Sequence, residues 1–531
     1  MYTLDPSDAY KRVFFRELAA AVARALSDLN DRLLDEGVFG PTPFEDLSDY
    51  IEGVELGNEM EAFHAVQGKT DAFADAEVDA ESWGDFYYYC ATAIREECDW
   101  LPVWISGITS YTESIGGPAT WQQKRGFLSG ALDRIRLQEA TELGIPLDPD
   151  GIPATSVDLS DLVDGVDYHF YHMGEDIDDI AGGGREEALP LVLLYLETRE
   201  LRQTLDDYVP SAMLTVVETS VNVATHSCEE SDLSSGTCEE GSAGPNLSVA
   251  FRPDRITCTC TDETCTAESA SNPVDDFQAA SVWMRPTAAL AGGAAVAGWH
   301  GHISNGGSSF AGCGLRMDFN PVISSTMAYP RKSWFAFQRL TAMLGSATGV
   351  SVLSPTFGGW EGTPIAQNFR EQYTGVVAPE SLQATDFLWV LEFSDVTWAG
   401  RRGVPGLVGD GPWWAYLCYV DPGSESATVA PPACAGVILV GRGTGRLAPL
   451  VYRIAPGPIE GDLVNVEASS AYGYPSRIWS GDDAEPVIAR ELGIFSYLYW
   501  RVSIARGGWP VLLLSSERLT LGGVGVTVAA P

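Results

Sequence analysis

The sequence predicts an α+β protein, an α-helical N-terminal part followed by a β-rich C-terminal part of sandwich, jelly-roll or mixed type. Three observations predict it. Apolar residues recur at helical spacing as far as about Pro210; beyond it the runs shorten and take strand composition; and most of the 55 glycines and 31 prolines fall in the second part, as many short connections require. At 531 residues the chain is too long for one ordinary domain, and the natural division is 1–210 and 211–531, with a Cys-rich loop segment at 226–265.

Residues 6–36 read as an amphipathic helix. Asp5 or Ser7 can cap it, Pro6 suits its first turn and Gly37 its stop, while Phe14, Phe15, Leu18, Val22, Leu26, Leu29 and Leu33 share one broad face. Shorter helical pieces follow near 57–67 and 86–99, separated by an acidic connector from Asp71 to Asp85 that holds six carboxylates. Further helices are expected at 119–143, stopped at Gly144, and at 186–207, where Leu191 to Leu196 is apolar on nearly every side and so reads as buried. Past Pro210 the expected strands are 213–223, 247–251, 255–261, 281–285, 314–319, 349–354, 386–394, 413–420, 436–441, 447–454, 463–467, 510–514 and 523–529. Helices there are expected only at 333–344 and 484–493.

Charge narrows the function classes. The formal net charge is −41, with 43 acidic and 14 basic residues in 1–210 against 30 and 18 in 211–531. Nucleic-acid affinity comes largely from Lys and Arg at phosphates, so direct nucleic-acid binding is not expected. Only four of the 32 basic residues are lysine, a bias that a GC-rich genome or a preference for bidentate arginine pairing would produce. Mean hydropathy is near zero, and no apolar run reaches the eighteen or so residues of a membrane span. The start, Met1 to Asp8, is acidic and shows no signal peptide.

The densest chemistry-like patch is His226, Cys228, Cys238, Cys258, Cys260 and Cys265. His226, Cys228, Cys258, Cys260 and Cys265 could supply soft ligands to zinc, but their spacing forms no CxxC knuckle. The competing reading pairs Cys228 with Cys238 and one of Cys258 or Cys260 with Cys265 as disulfides that staple exposed loops, with Cys228, Cys238, Cys260 and Cys265 the preferred four.

The other motifs are weaker. His300-Gly-His302 resembles a metal-ligating dipeptide without further ligands, and Glu61-x-x-His64 has the spacing of di-iron bundles but no second copy. His169 and His172 follow Asp167 without a glutamate three residues upstream. Gly441-x-Gly-x-Gly445 follows a strand, yet Arg446 stands where a dinucleotide loop needs its third glycine. Asp161, Asp164, Asp167, Asp176, Asp178 and Asp179 lack the alternating pattern of a calcium loop and read as a solvated acidic loop.

No residue is singled out as catalytic, and no cofactor is expected. The absence of catalytic signatures, the aromatic pairs such as Trp413-Trp414 and the arginine usage lead to a structural, self-assembling protein, a viral coat or virion component made in the cytoplasm whose partners are copies of itself or sister chains. Two alternatives stand beside this non-enzymatic reading. One is a β-sandwich carbohydrate-active enzyme using Asp/Glu catalysis; the other is an extracellular adhesin or receptor-binding module.

Overall fold

A computed structural model describes residues 9–38, 46–49, 51, 53–57, 76–109, 113–114, 117–118, 121–170, 191–219, 255–260, 265–270, 274–300, 303–304, 316–317, 329–330, 332–355, 387–397, 412–421, 432–442, 451–454, 484–486, 490–492 and 497–528. Helices and several sheets are both present, so the mixed α+β class stands. Contacts group the chain into two units. The first is Met1–Tyr171, Glu197–Val217 and Gly292–Gly298, and the second is His172–Leu196, Glu218–Ala291 and Trp299–Pro531.

In the first unit, α1 (Ala9–Asp35) lies along α2 (Ala76–Glu97), which in turn packs on α3 (Trp121–Glu142). Phe15 and Ala19 of α1 meet a cluster built on Ala80, Trp83, Phe86, Cys90, Phe127 and Ala131. Arg16 and Arg24 of α1 pair with Glu96 and Glu97 at the end of α2. Charge is also used inside: Asp85, 7% exposed, accepts two bonds from Arg134 and one from Gln138. That bidentate arrangement is what makes a partly buried ion pair tolerable.

The N-terminal region is not purely helical, as the sequence suggested. It carries β1 (Val54–Leu56), β2 (Val103–Thr109) and β3 (Gly165–Phe170), which with β4 (Met213–Thr219) and β7 (Val296–His300) form one sheet in the order β1-β2-β3-β4-β7. β1 runs parallel to β2, and β2 to β3. Met213 donates its N–H to the Asp164 carbonyl while Thr215 bonds Asp167, so residue numbers rise together and β4 is parallel to β3 as well. Helices α2, α3 and α4 (Leu191–Tyr208) intervene between these strands, and neighbours in the sheet follow chain order.

In the second unit, β8 (Gly349–Ser354), β9 (Leu388–Val396), β10 (Trp413–Val420), β12 (Val451–Ile454), β13 (Ala484–Pro486) and β16 (Val511–Ser515) make an antiparallel sheet in the order β8-β9-β10-β16-β12-β13. A four-stranded sheet has the order β14-β15-β11-β17, from Arg490–Leu492, Tyr497–Ala505, Cys434–Arg442 and Thr520–Val528. β9, β10 and β16 are buried on both faces, as continuous apolar strands must be. On one face, Tyr419 stacks on Trp389 and donates its hydroxyl to the Met284 carbonyl of α5 (Val274–Ala291), the helix that packs against α6 (Lys332–Leu344). On the other, Tyr416 faces Glu392, which Arg518 holds by a bidentate pair. A hairpin of β5 (Arg255–Cys260) and β6 (Cys265–Ala270) completes the unit.

Three expected elements change type, the first being the acidic connector, of which Ala76–Asp85 is helix within α2. The strand expected at 281–285 lies within α5, and the helix expected at 484–493 is replaced by β13 and β14. The pieces expected at 57–67, 247–251 and 463–467 lie outside the described residues, apart from Gly57. Among the described residues no helix is long and apolar enough to cross a membrane.

Candidate functional site

Alternation along β3 builds the site. Val166, Tyr168 and Phe170 project to one face, where Tyr168 donates its hydroxyl to Glu197 of α4. That bond marks this face as the helix-covered one. Asp167 and His169 therefore point to the opposite face.

Asp167 and His169 are 7% and 6% exposed. The Asp167 Oδ1 atom accepts from the Tyr168 N–H at 3.0 Å and from the Thr215 hydroxyl of β4 at 2.6 Å. Its Oδ2 atom lies 2.9 Å from His169 Nε2. The third member, Glu55 on β1, is exposed and reaches over β2, so that one ligand atom from each of Glu55, Asp167 and His169 lies within 4.8 Å of the other two. β2 breaks its register with β3 between Ile105 and Ile108, where the sequence has Ser106-Gly107, and bulges of this kind recur beside functional sites.

Neighbouring acids have structural duties. Asp164 accepts from the Val103 N–H at 2.6 Å and from Arg95, whose guanidinium also bonds the carbonyls of Asp161 and Leu101. Asp164 and Asp167 are thus not part of a solvated loop, since Asp164 ties β2 to β3 and Asp167 is inside, while Asp176, Asp178 and Asp179 lie outside the described residues.

The thiols named from the sequence are distributed otherwise. Cys258 is disulfide-bonded to Cys434 of β11, so it supplies no thiolate to a metal. Cys260 and Cys265 face each other across the β5–β6 hairpin register. His226, Cys228 and Cys238 lie outside the described residues, as do Glu61, His64, His172 and His302. His300 is the last residue of β7.

No family model matches the chain. No curated protein matches it. Solved structures do. A family 51 α-L-arabinofuranosidase from Bifidobacterium longum shares 9% identity over 82% of this chain and 63% of its own, with a TM-score of 0.36. A family 44 xyloglucanase from Paenibacillus polymyxa shares 10% over 88% and 66%, with a TM-score of 0.31. A bifunctional glucanase-xylanase from a metagenome library shares 10% over 88% and 64%, with a TM-score of 0.32. The chain spans 63–66% of the length of these structures.

These matches are to glycoside hydrolases, and the expectation of a non-enzymatic coat or virion component is corrected accordingly. At such TM-scores the likeness itself assigns no activity, and the functional reading has to come from the chain's own residues.

Proposed function

We propose that the protein hydrolyses glycosidic bonds in a plant-type polysaccharide, using a pair of carboxylates. One observation carries the reading: the parallel sheet turns ionisable groups, Glu55, Asp167 and His169, to the face away from Tyr168, near the edge where β/α sheets place their chemistry. Asp167 is already engaged by Thr215, His169 and the Tyr168 N–H, which suits a positioning group better than a nucleophile.

The reaction needs one carboxylic acid to protonate the leaving oxygen and one carboxylate to act as nucleophile or base on the opposite side of the sugar. The reading assigns these tasks to Glu59, three residues beyond the end of β1 in the sequence, and Glu218, the penultimate residue of β4. β2 and β3 separate β1 from β4 in the sheet.

Incubation of the purified chain with arabinoxylan, xyloglucan and mixed-linkage glucan tests this. Reducing ends should appear on at least one of them, and Glu59→Gln and Glu218→Gln should each lower kcat by about a thousandfold with an unchanged circular dichroism spectrum. Wild-type chain that is folded yet turns over none of these polymers, or variants that keep full activity, would refute the proposal.

A further inference from the structure

We infer that Glu55, Asp167 and His169 form a binding site for a first-row divalent metal ion. The inference goes beyond the hydrolase reading and does not depend on it.

The separations fit one shared ion. Ligand atoms about 2.1 Å from a metal lie about 3.0 Å apart when adjacent in an octahedron and about 4.2 Å apart when opposite. His169 Nε2 and Asp167 Oδ2 stand 2.9 Å apart, the adjacent-ligand distance, and all three ligand atoms lie within 4.8 Å. A few tenths of an ångström of movement closes the set, and the exposed Glu55 side chain can supply it.

The supporting residues also suit a metal. Bonds from Thr215 and the Tyr168 N–H occupy the Asp167 Oδ1 atom and turn Oδ2 toward His169. Outer bonds that fix a ligand's orientation are a regular part of metal sites. Asp167 and His169 are two apart on one strand and the third ligand comes from a separate strand, so the backbone fixes two donors while the third adjusts. Two carboxylates and an imidazole favour Mn2+ or Zn2+ over Ca2+, which takes six to eight oxygen ligands.

Mn2+ is the probe, because it has little affinity for the thiols of the 226–265 segment. The EDTA-stripped full chain, titrated with Mn2+ in 0.5 M NaCl to suppress diffuse binding by a chain of net charge −41, is followed by the loss of the free-ion EPR signal. One ion per chain is expected. Asp167→Asn and His169→Gln should each weaken binding at least tenfold, and so should Glu55→Gln, whose exposed position keeps folding out of the outcome. Glu218→Gln should bind as wild type even with hydrolysis abolished, which separates failure of this site from failure of the hydrolase reading. No saturable ion, or affinity unchanged in Glu55→Gln and His169→Gln, would overturn the inference.

Discussion

Burial decides what individual cysteines can do. Desolvation pushes the Cys90 thiol up to about 12 from an ordinary 9.0, and does the same to Cys418. Only the thiolate is nucleophilic, so both should resist iodoacetamide at pH 8 in the native protein and react fully in urea, as peptide mass mapping would show. The sign of the linkage follows. The folded chain keeps these protons where the unfolded chain loses them, so their contribution to stability is complete below about pH 9 and disappears as pH rises toward 12. Native labelling of Cys90 or Cys418 at pH 8 would contradict this. Burial is also why Asp167 was hard to find. In the sequence it is one of six nearby aspartates, and only its bonds to Thr215 and His169 distinguish it.

At the scale of elements, glycine's effect depends on what surrounds it. Gly84 lies where α2 crosses α3, and a Cβ there would stand 2.7 Å from the Ala131 carbonyl oxygen and 2.6 Å from the Arg134 Cβ. Backbone cannot yield as a flexible side-chain end can, so the clash outweighs the helix-propensity gain, and Gly84→Ala should destabilise by about 1–3 kcal/mol. Gly126, in α3, has nothing within 4 Å of the same atom, and Gly126→Ala should stabilise by about 0.5–1 kcal/mol. Urea midpoints of the two variants should move in opposite directions, and a shared direction would refute the packing argument.

The helix that carries Gly126 was legible because its apolar period is 3.6, whereas Gly84 lies in Ala76–Asp85, a stretch that reads as an acidic connector and is in fact the first part of α2. The parallel strands were not legible either. β1 has three residues, and β3 is buried on both faces, so neither shows the alternation that marks a half-exposed strand. Residues 281–285 misled for another reason: Pro286 follows them and normally ends a helix. Here α5 continues through it, and Thr287 bonds its hydroxyl to the Trp283 and Met284 carbonyls. At 490–492, pairing with Tyr497–Tyr499 overrides local preference, a contact no local window contains.

At the scale of the whole chain, the bond between Cys258 and Cys434 spans 176 residues, a separation that no spacing rule applied to the 226–265 segment could have revealed. It fastens the β5–β6 hairpin to β11. Ile256 also packs on Ala433 and Cys434, with Ala267 and Ala505 against the same cluster, and its N–H bonds the Arg506 carbonyl. A crosslink acts mostly on the unfolded chain, and closing a loop of this length removes conformational freedom equivalent to about 5 kcal/mol in the chain-entropy model. Cys258→Ala should therefore lower the urea midpoint of the unfolding transition reported by Trp389 and Trp500, with a loss of about 2–5 kcal/mol. Reducing the wild-type protein should reproduce most of that loss, whereas the reductant should not further destabilise the variant through this bond. If Cys258→Ala unfolded at the wild-type midpoint, the hairpin would have to be held by contacts other than this covalent one.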